Sequence, residues 1–264
     1  MGTSKGYKMP SGGDWTPLKT QATEFVNSNT QGQAGAAAGR ALLRNYIKVR
    51  SASNSPVSGD GPGATSGKSG GGSGRGVRGR SWGVGVATAQ KLGKFFSRVS
   101  EIGLADALRE AGLGDLVGKS AADVSGALLD HLAGPASTLD EASVREALVA
   151  LNDELLEEAE TFEDVEEALT KTIDDAGMFG VLLRFLGHYI YQCFCTDFYE
   201  RFVKKVGSTR AAQSIKSIRD CIQAAVKSKL AGIDPKKFSW GGSDARRISE
   251  QILGEIRDIF EVPA

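Results

Sequence analysis

Apolar side chains recur at intervals of three and four residues along most of this 264-residue chain. That spacing places them on one face of an α-helix, whereas a half-buried strand would alternate apolar and polar residues. The pattern predicts an all-α fold, a bundle-like domain of roughly seven to nine helices. The apolar faces are Leu92, Phe95, Val99 and Ile102; Val144, Leu148, Leu151 and Leu155; Phe162, Val165, Leu169 and Ile173; Ile215, Ile218, Ile222 and Ala225; and Ile248, Ile252, Ile256 and Ile259.

Residue types that begin and end helices stand at the edges of these faces. The predicted N-caps are Thr16, Ser120, Thr138 and Thr161, of which Thr138 forms a capping box with Glu141. The predicted helix ends are Gly112, Gly118, Gly134, Gly177, Gly207 and Gly232.

A glycine- and serine-rich segment, residues 51–83, interrupts the helical pattern. Eleven of its 33 residues are Gly and eight are Ser, so it cannot bury enough apolar surface to offset the entropy lost on ordering. We predict a flexible linker there, preceded by a flexible N-terminal tail (1–14) and a short helical segment (15–50) and followed by an α-helical domain (84–264). The two helices of 15–50 make a weak core alone, and we expect them to pack on another part of the chain.

The formal net charge is zero, but the charges are unevenly distributed. Residues 1–100 carry 14 Lys and Arg against 3 Asp and Glu, whereas residues 101–175 carry 4 against 20. Such asymmetry is typical of a basic arm that binds nucleic acid, or of an arm that folds onto its own acidic body. Candidate nucleic-acid contacts at the end of the linker are Lys68, Arg75, Arg78 and Arg80.

The candidate catalytic and cofactor motifs lack the residues or the residue spacing that their chemistry requires. Residues 61–69 resemble a phosphate-binding loop, but Pro62 stands where the motif needs Gly and no strand is predicted before it. His188 and Cys195 are seven residues apart on one helix, about 10 Å, which is too far for direct proton transfer. The two His and three Cys also lack the spacing of a metal site. We therefore predict a protein that is not an enzyme, with no catalytic residue, no metal and no cofactor.

Residues 176–195 are the membrane candidate, but Arg184, His188 and Gln192 place a polar stripe along this helix. We expect a packed helix and a cytoplasmic protein, because the chain begins without an apolar run and has few cysteines.

The aromatic stretch 185–202 predicts a central core helix, with a partner groove as the alternative. The acidic run 153–167 predicts the solvated face of two helices, with a docking surface for a basic partner as the alternative.

The N-terminus itself offers a reactive group. Met1 followed by Gly2 is the context in which the initiator methionine is usually removed, which leaves Gly2 as an unhindered α-amine. N-myristoylation is the competing use of this start, but it usually needs Ser or Thr at the position of Gly6. The alternative is a frayed end without a function.

Three features together resemble the QatB family of the bacterial Qat anti-phage defence system: the tip Met1–Ser4, the linker, and the stretch from Leu132 to Glu141. The resemblance implies a small helical component that works beside a QueC-like (QatC-type) enzyme, an ATPase and a TatD-like nuclease. It also implies that the QueC-like enzyme uses ATP to activate a 7-deazaguanine carboxylate and conjugates it to the Gly2 amine. The residues read by that enzyme would be Thr3, Ser4, Lys5, Gly6 and Tyr7.

Two other functions fit the residues. The basic N-terminal region suits a nucleic-acid-binding adaptor, and the acidic region suits an assembly scaffold of a defence complex.

Overall fold

The computed structural model describes Pro10, residues 12–28, 32–52 and 82–231, and Gly254. Within these residues the chain forms helices and no strand, which confirms the all-α prediction. The helices are α1 (Trp15–Asn27), α2 (Gly32–Ala52), α3 (Gly83–Ile102), α4 (Leu104–Glu110), α5 (Ala121–Ala133), α6 (Leu139–Leu156) and α7 (Phe162–Ala231), with a 3-10 turn (Gly114–Leu116) after α4.

Helix α7 is a helical run of 70 residues that is interrupted at two glycines. Gly177 (φ 64°) and Gly207 (φ 80°) have left-handed backbone conformations, which glycine adopts without steric cost. They divide α7 into a first segment (162–176), a middle segment (178–206) and a last segment (208–231). Both glycines are predicted helix ends, and so are three others with positive φ, namely Gly112, Gly118 and Gly134. The prediction for Gly232 lies outside the described residues.

The middle segment of α7 is the centre of the core, as its aromatic residues predict. Five of its aromatic side chains are fully buried, namely Phe185, Tyr189, Phe194, Phe198 and Phe202. Helices α1, α2, α3 and α6 pack against α7. The Tyr189 ring of α7 packs directly on α3 at Gly85, where a Cβ atom would lie 2.1 Å from Cε1 of Tyr189. A side chain at that position would therefore displace the tyrosine ring.

The four predicted apolar faces within the described residues all contribute to the core. Every member is buried except the last residue in three of the faces, namely Ile102, Leu155 and Ile173, which are half-buried. The fifth face, Ile248 to Ile259, lies outside the described residues.

Three of the four predicted N-caps are confirmed. Their side-chain oxygens accept hydrogen bonds from the backbone N–H three residues on, in the pairs Ser120–Asp123, Thr138–Glu141 and Thr161–Asp164. The prediction for Thr16 is wrong, because α1 already begins at Trp15. The carbonyl of Gly12 accepts from the N–H groups of both Trp15 and Thr16. Pro17 is then the third helical residue, where the missing N–H has no intrahelical partner to lose.

Helices α1 and α2 pack on each other and on α7, which agrees with the expectation that this region needs another surface. The Asn45 amide donates to Oε1 of Gln21 at 2.8 Å, which joins α2 to α1. The Arg201 guanidinium donates to Oγ1 of Thr23 at 2.8 and 3.1 Å, which joins α7 to α1. The N-terminal helices are thus part of the same packed core as the rest of the described chain.

Candidate functional site

A buried ion cluster lies where α2, α6 and α7 meet. Arg50, near the end of α2, is fully buried, although arginine stays charged in proteins. Its Nη1 donates to Oδ2 of Asp197 in α7 at 3.1 Å, and its Nη2 donates to Oδ1 of Asp140 in α6 at 2.7 Å. The guanidinium therefore connects three helices that are far apart in sequence.

Tyr46 lies one turn before Arg50 and also binds Asp197. Its hydroxyl donates to Oδ2 of Asp197 at 2.8 Å and accepts from Nη1 of Arg50 at 3.3 Å. Burial raises the pKa of Tyr46 well above its ordinary value, so the hydroxyl keeps its proton and remains a donor.

Trp82, the residue before α3, covers the cluster. The Cζ atom of Arg50 lies 4.7 Å from the centre of the Trp82 ring, a cation–π contact. The indole Nε1 of Trp82 donates to Oγ of Ser51 at 3.0 Å. The two ends of the glycine- and serine-rich segment therefore lie together, since Ser51 lies near the end of α2 and Trp82 precedes α3. The remainder of that segment, including Lys68, Arg75, Arg78 and Arg80, lies outside the described residues.

The start of α6 supplies both a helix cap and a charge to the cluster. The Glu141 carboxylate accepts from the backbone N–H groups of Ser137 and Thr138 at 2.8 and 2.7 Å and closes the capping box. Asp140, one residue earlier, binds Arg50, and Leu139 is 43% exposed. The stretch that carries part of the family resemblance thus links α6 to α2 through the ion pair of Asp140 with Arg50.

The polar stripe of the middle segment of α7 contacts α6. The Glu154 carboxylate binds Nε2 of His188 at 2.9 Å and Nη1 of Arg184 at 3.2 Å. The hydrogen bond from His188 and the charge of Arg184 lower the pKa of Glu154. The stripe is therefore part of a protein contact, and no helix in the described part of the chain is long and apolar enough to cross a membrane.

The cysteines have little thiolate at neutral pH. Burial raises the pKa of Cys193, which packs beside the ion cluster, to about 12. Burial also raises the pKa of Cys195 and of Cys221. Within the described residues, no three His, Cys, Asp or Glu side chains are arranged to hold a metal ion.

An acidic groove lies between the end of α6 and the first segment of α7. Its volume is about 480 Å³. As predicted for the acidic run, Phe162 and Val165 face the core, while Leu155 and Leu156 are half-buried. Two of the acids have partners in the fold: Glu154 binds α7, and Asp164 accepts from the backbone N–H of Thr161. The other acidic side chains that line the groove are Glu157, Glu158, Glu167 and Asp175.

The predicted residues of the N-terminal tip, Gly2 to Tyr7, lie outside the described residues. The tail joins the body beside the ion cluster. Pro10 and Trp15 are buried, and the Trp15 ring packs edge-on against the Tyr46 ring with 6.3 Å between the ring centres. Sequence reasoning missed the cluster itself. Its signal was present as two isolated charges on apolar faces, namely Arg50 one turn after Tyr46 and Asp197 beside Phe198.

One comparison with known proteins identifies the family. The family described as Qat anti-phage system associated protein QatB matches residues 71–261, which is most of the chain. The chain belongs to the QatB family. The comparisons with curated proteins and with solved structures found no match.

As a QatB-family protein, this chain belongs to an anti-phage defence system and has its partners within that system. The matched range includes Trp82, Asp140 and Asp197 of the ion cluster, whereas Arg50 and Gly2 precede it. The QatB match thus covers α3 to α7 and leaves the N-terminal helices and tip outside.

Proposed function

We propose that this QatB-family protein is the non-enzymatic acceptor in a conjugation reaction, and that the α-amine of Gly2 is the modified group once Met1 is removed. The donor is a 7-deazaguanine carboxylate that a QueC-like (QatC-type) partner activates with ATP. The amine nitrogen attacks the activated carbonyl carbon, an amide bond forms, and the activating group leaves while the amine loses its proton. Membership of the QatB family is the observation that carries the proposal.

The chemistry of an N-terminal amine supports this assignment. Its pKa is about 8, against about 10.4 for a lysine side chain, so a larger fraction is unprotonated and nucleophilic near neutral pH. Glycine adds no side chain to hinder the attack. The tip also carries Lys5, whose amine is the nearest competitor.

The acceptor role is consistent with how the described acids and thiols are used. Asp140 and Asp197 bind a buried arginine, and Glu154 and Asp164 hold α7 and cap it. Cys193 keeps its proton, because burial raises its pKa to about 12. These groups stabilise the fold.

Intact-mass spectrometry after co-expression with the QueC-like partner tests the proposal. We expect a mass increase that peptide mapping assigns to the N-terminal peptide and that is lost in Gly2→Pro. Lys8→Arg is the matched control, since it removes a side-chain amine of the tail outside the residues that the partner recognises and keeps the charge, and it should be modified normally. An unmodified N-terminus in the presence of an active partner and its precursor would refute the proposal.

Two further partners follow from the family resemblance, the ATPase and the TatD-like nuclease of the same system. Copurification of the tagged chain with each, before and after modification of Gly2, tests whether they bind it. Binding that depends on the modification would give the conjugate a role in assembly.

The acidic groove favours a second candidate function, that of an assembly scaffold. A groove of about 480 Å³ that is lined by six acidic side chains, against one lysine and one arginine, suits a Lys- and Arg-rich surface of a partner protein. Replacing Glu157, Glu158 and Glu167 by Lys should then abolish the complex, while deleting residues 1–14 should leave it intact. Retention of the complex in the triple variant would remove this candidate.

The basic N-terminal third favours a nucleic-acid-binding adaptor, whose binding would be lost on deleting residues 68–80 and would fall steeply with salt. This role is compatible with the acceptor role. The absence of measurable DNA or RNA affinity at low salt would remove it.

A further inference from the structure

The tail that carries Gly2 starts from a fixed point on the folded body. Pro10 is buried, and Trp15 is only 5% exposed. The Trp15 ring packs against Tyr46, whose hydroxyl binds Asp197 in the central helix. The base of the tail is therefore attached to the ion cluster through a short series of side-chain contacts.

The covalent chain limits how far Gly2 can travel from that point. Eight residues, Gly2 to Met9, precede Pro10. A fully extended chain spans at most about 3.6 Å per residue, so the Gly2 amine stays within roughly 29 Å of Pro10. A partner whose catalytic pocket accepts Gly2 must come within that distance of the body near α1 and the cluster.

The cluster contributes to this geometry because it joins α2, against which Trp15 packs, to α6 and α7. Arg50 is fully buried and binds Asp140 in α6 and Asp197 in α7. Removing one member of a buried ion pair leaves an uncompensated charge, which disfavours the packed arrangement. Loss of Arg50 would thus loosen the pair of helices from which the tail extends.

From these contacts we infer that the enzyme that modifies Gly2 docks on the folded body around the start of α1, and that Arg50 is a positioning residue for the reaction. The inference rests on the proposed acceptor role of Gly2. Docking on the body supplies the tip at a high effective concentration, which the short tail sets. The alternative is a partner that reads the tip alone, independent of the rest of the chain.

A spacer in the full chain separates these two cases. Inserting about 24 Gly and Ser residues between Met9 and Pro10 leaves the tip intact and makes the tail about four times longer. Effective concentration falls roughly as the −3/2 power of tether length, so the apparent KM for conjugation should rise roughly eightfold while kcat is unchanged. The same spacer between Gly71 and Gly72 is the matched control and should leave KM unchanged.

Arg50→Met provides a second, independent measurement. Where circular dichroism shows that the variant is folded, its KM should rise as with the spacer. The KM of Arg50→Lys should lie between those of Arg50→Met and the wild type, because lysine keeps the charge. If the variant does not fold, the spacer experiment decides alone. An unchanged KM in the tail-spacer variant would overturn the inference. Failure of every chain to be modified, the wild type included, would instead refute the proposed acceptor function.

Discussion

Trp82 donates its indole N–H to the hydroxyl of Ser51 at 3.0 Å, although 31 residues separate the two in sequence. The contact brings the end of α2 to the start of α3. The ring of Trp82 also lies over the guanidinium of Arg50. The polypeptide between these residues thus begins and ends at the same buried cluster.

We predict that residues 53–81 can be replaced by about six Gly and Ser residues without loss of the fold. The two ends already lie together, and a shorter loop costs less closure entropy. Shortening the loop about fivefold should raise the free energy of unfolding by about 1.4 kcal/mol. Urea denaturation followed by circular dichroism measures this. A large loss of stability would show that the segment makes contacts that the fold requires.

Removing the buried cation should be strongly destabilising. Arg50→Met leaves the carboxylates of Asp140 and Asp197 without their shared guanidinium, and breaking a buried pair in this way costs about 3–5 kcal/mol. Arg98→Met is the matched control. Its guanidinium pairs with Glu101 and Glu110 at the surface, where such pairs contribute about 0–1 kcal/mol.

Chemical denaturation of both variants gives the comparison. Similar losses of unfolding free energy in Arg50→Met and Arg98→Met would contradict a larger contribution of the buried cluster to stability.

The Tyr189 ring lies against Gly85, which makes this position sensitive to any side chain. In Gly85→Ala the new methyl group would meet the ring of Tyr189 at 2.1 Å, so the ring or the helix has to move. Overpacking of this kind costs about 1–3 kcal/mol, and we expect at least that loss by thermal or urea unfolding.

Gly126, an exposed residue inside α5, has open space around its Cβ position and serves as the control. Gly126→Ala should stabilise the protein by about 0.5–1 kcal/mol, because alanine is the better helix former. The test is whether Gly85→Ala lowers the free energy of unfolding while Gly126→Ala raises it.

Glu154 should contribute to stability in a pH-dependent way. Its pKa lies below the ordinary 4.5 because it accepts from His188 and faces Arg184. A carboxyl whose pKa is lower in the folded than in the unfolded state stabilises the fold above its unfolded pKa, and loses that contribution as the pH falls through the folded pKa.

Glu154→Gln should therefore be less stable than the wild type near neutral pH, with the difference shrinking below about pH 4.5. Urea titrations across that range measure it, with the exposed Glu158→Gln as the control. A difference that stays constant down to low pH would rule out the carboxylate charge as its source.

Much of the fold follows from local sequence signals. Faces such as that of Val144 and Leu148, caps such as Thr138 and breaks such as Gly177 depend on residues within a few positions of each other. The same reasoning misplaced the start of α1, where the Gly12 carbonyl begins the helix before Thr16 can cap it.

The ion cluster could not be predicted in this way, because its pairing is long-range. Arg50 and Asp197 are 147 residues apart, and nothing near either residue shows that they meet. A single charge on each of two apolar faces predicts that each needs a partner, but the packing of the helices decides which one. The acidic groove depends likewise on how α6 and α7 are placed.

The distance in sequence between Arg50 and its partners also has a consequence during synthesis. The ribosome must add 147 residues after Arg50 before Asp197 exists, which takes roughly 7–30 s at about 5–20 residues per second. Until then α1 and α2 lack the helix against which they pack. The N-terminus of the nascent chain is therefore available to the enzymes that process Met1 well before its base is fixed to the finished protein.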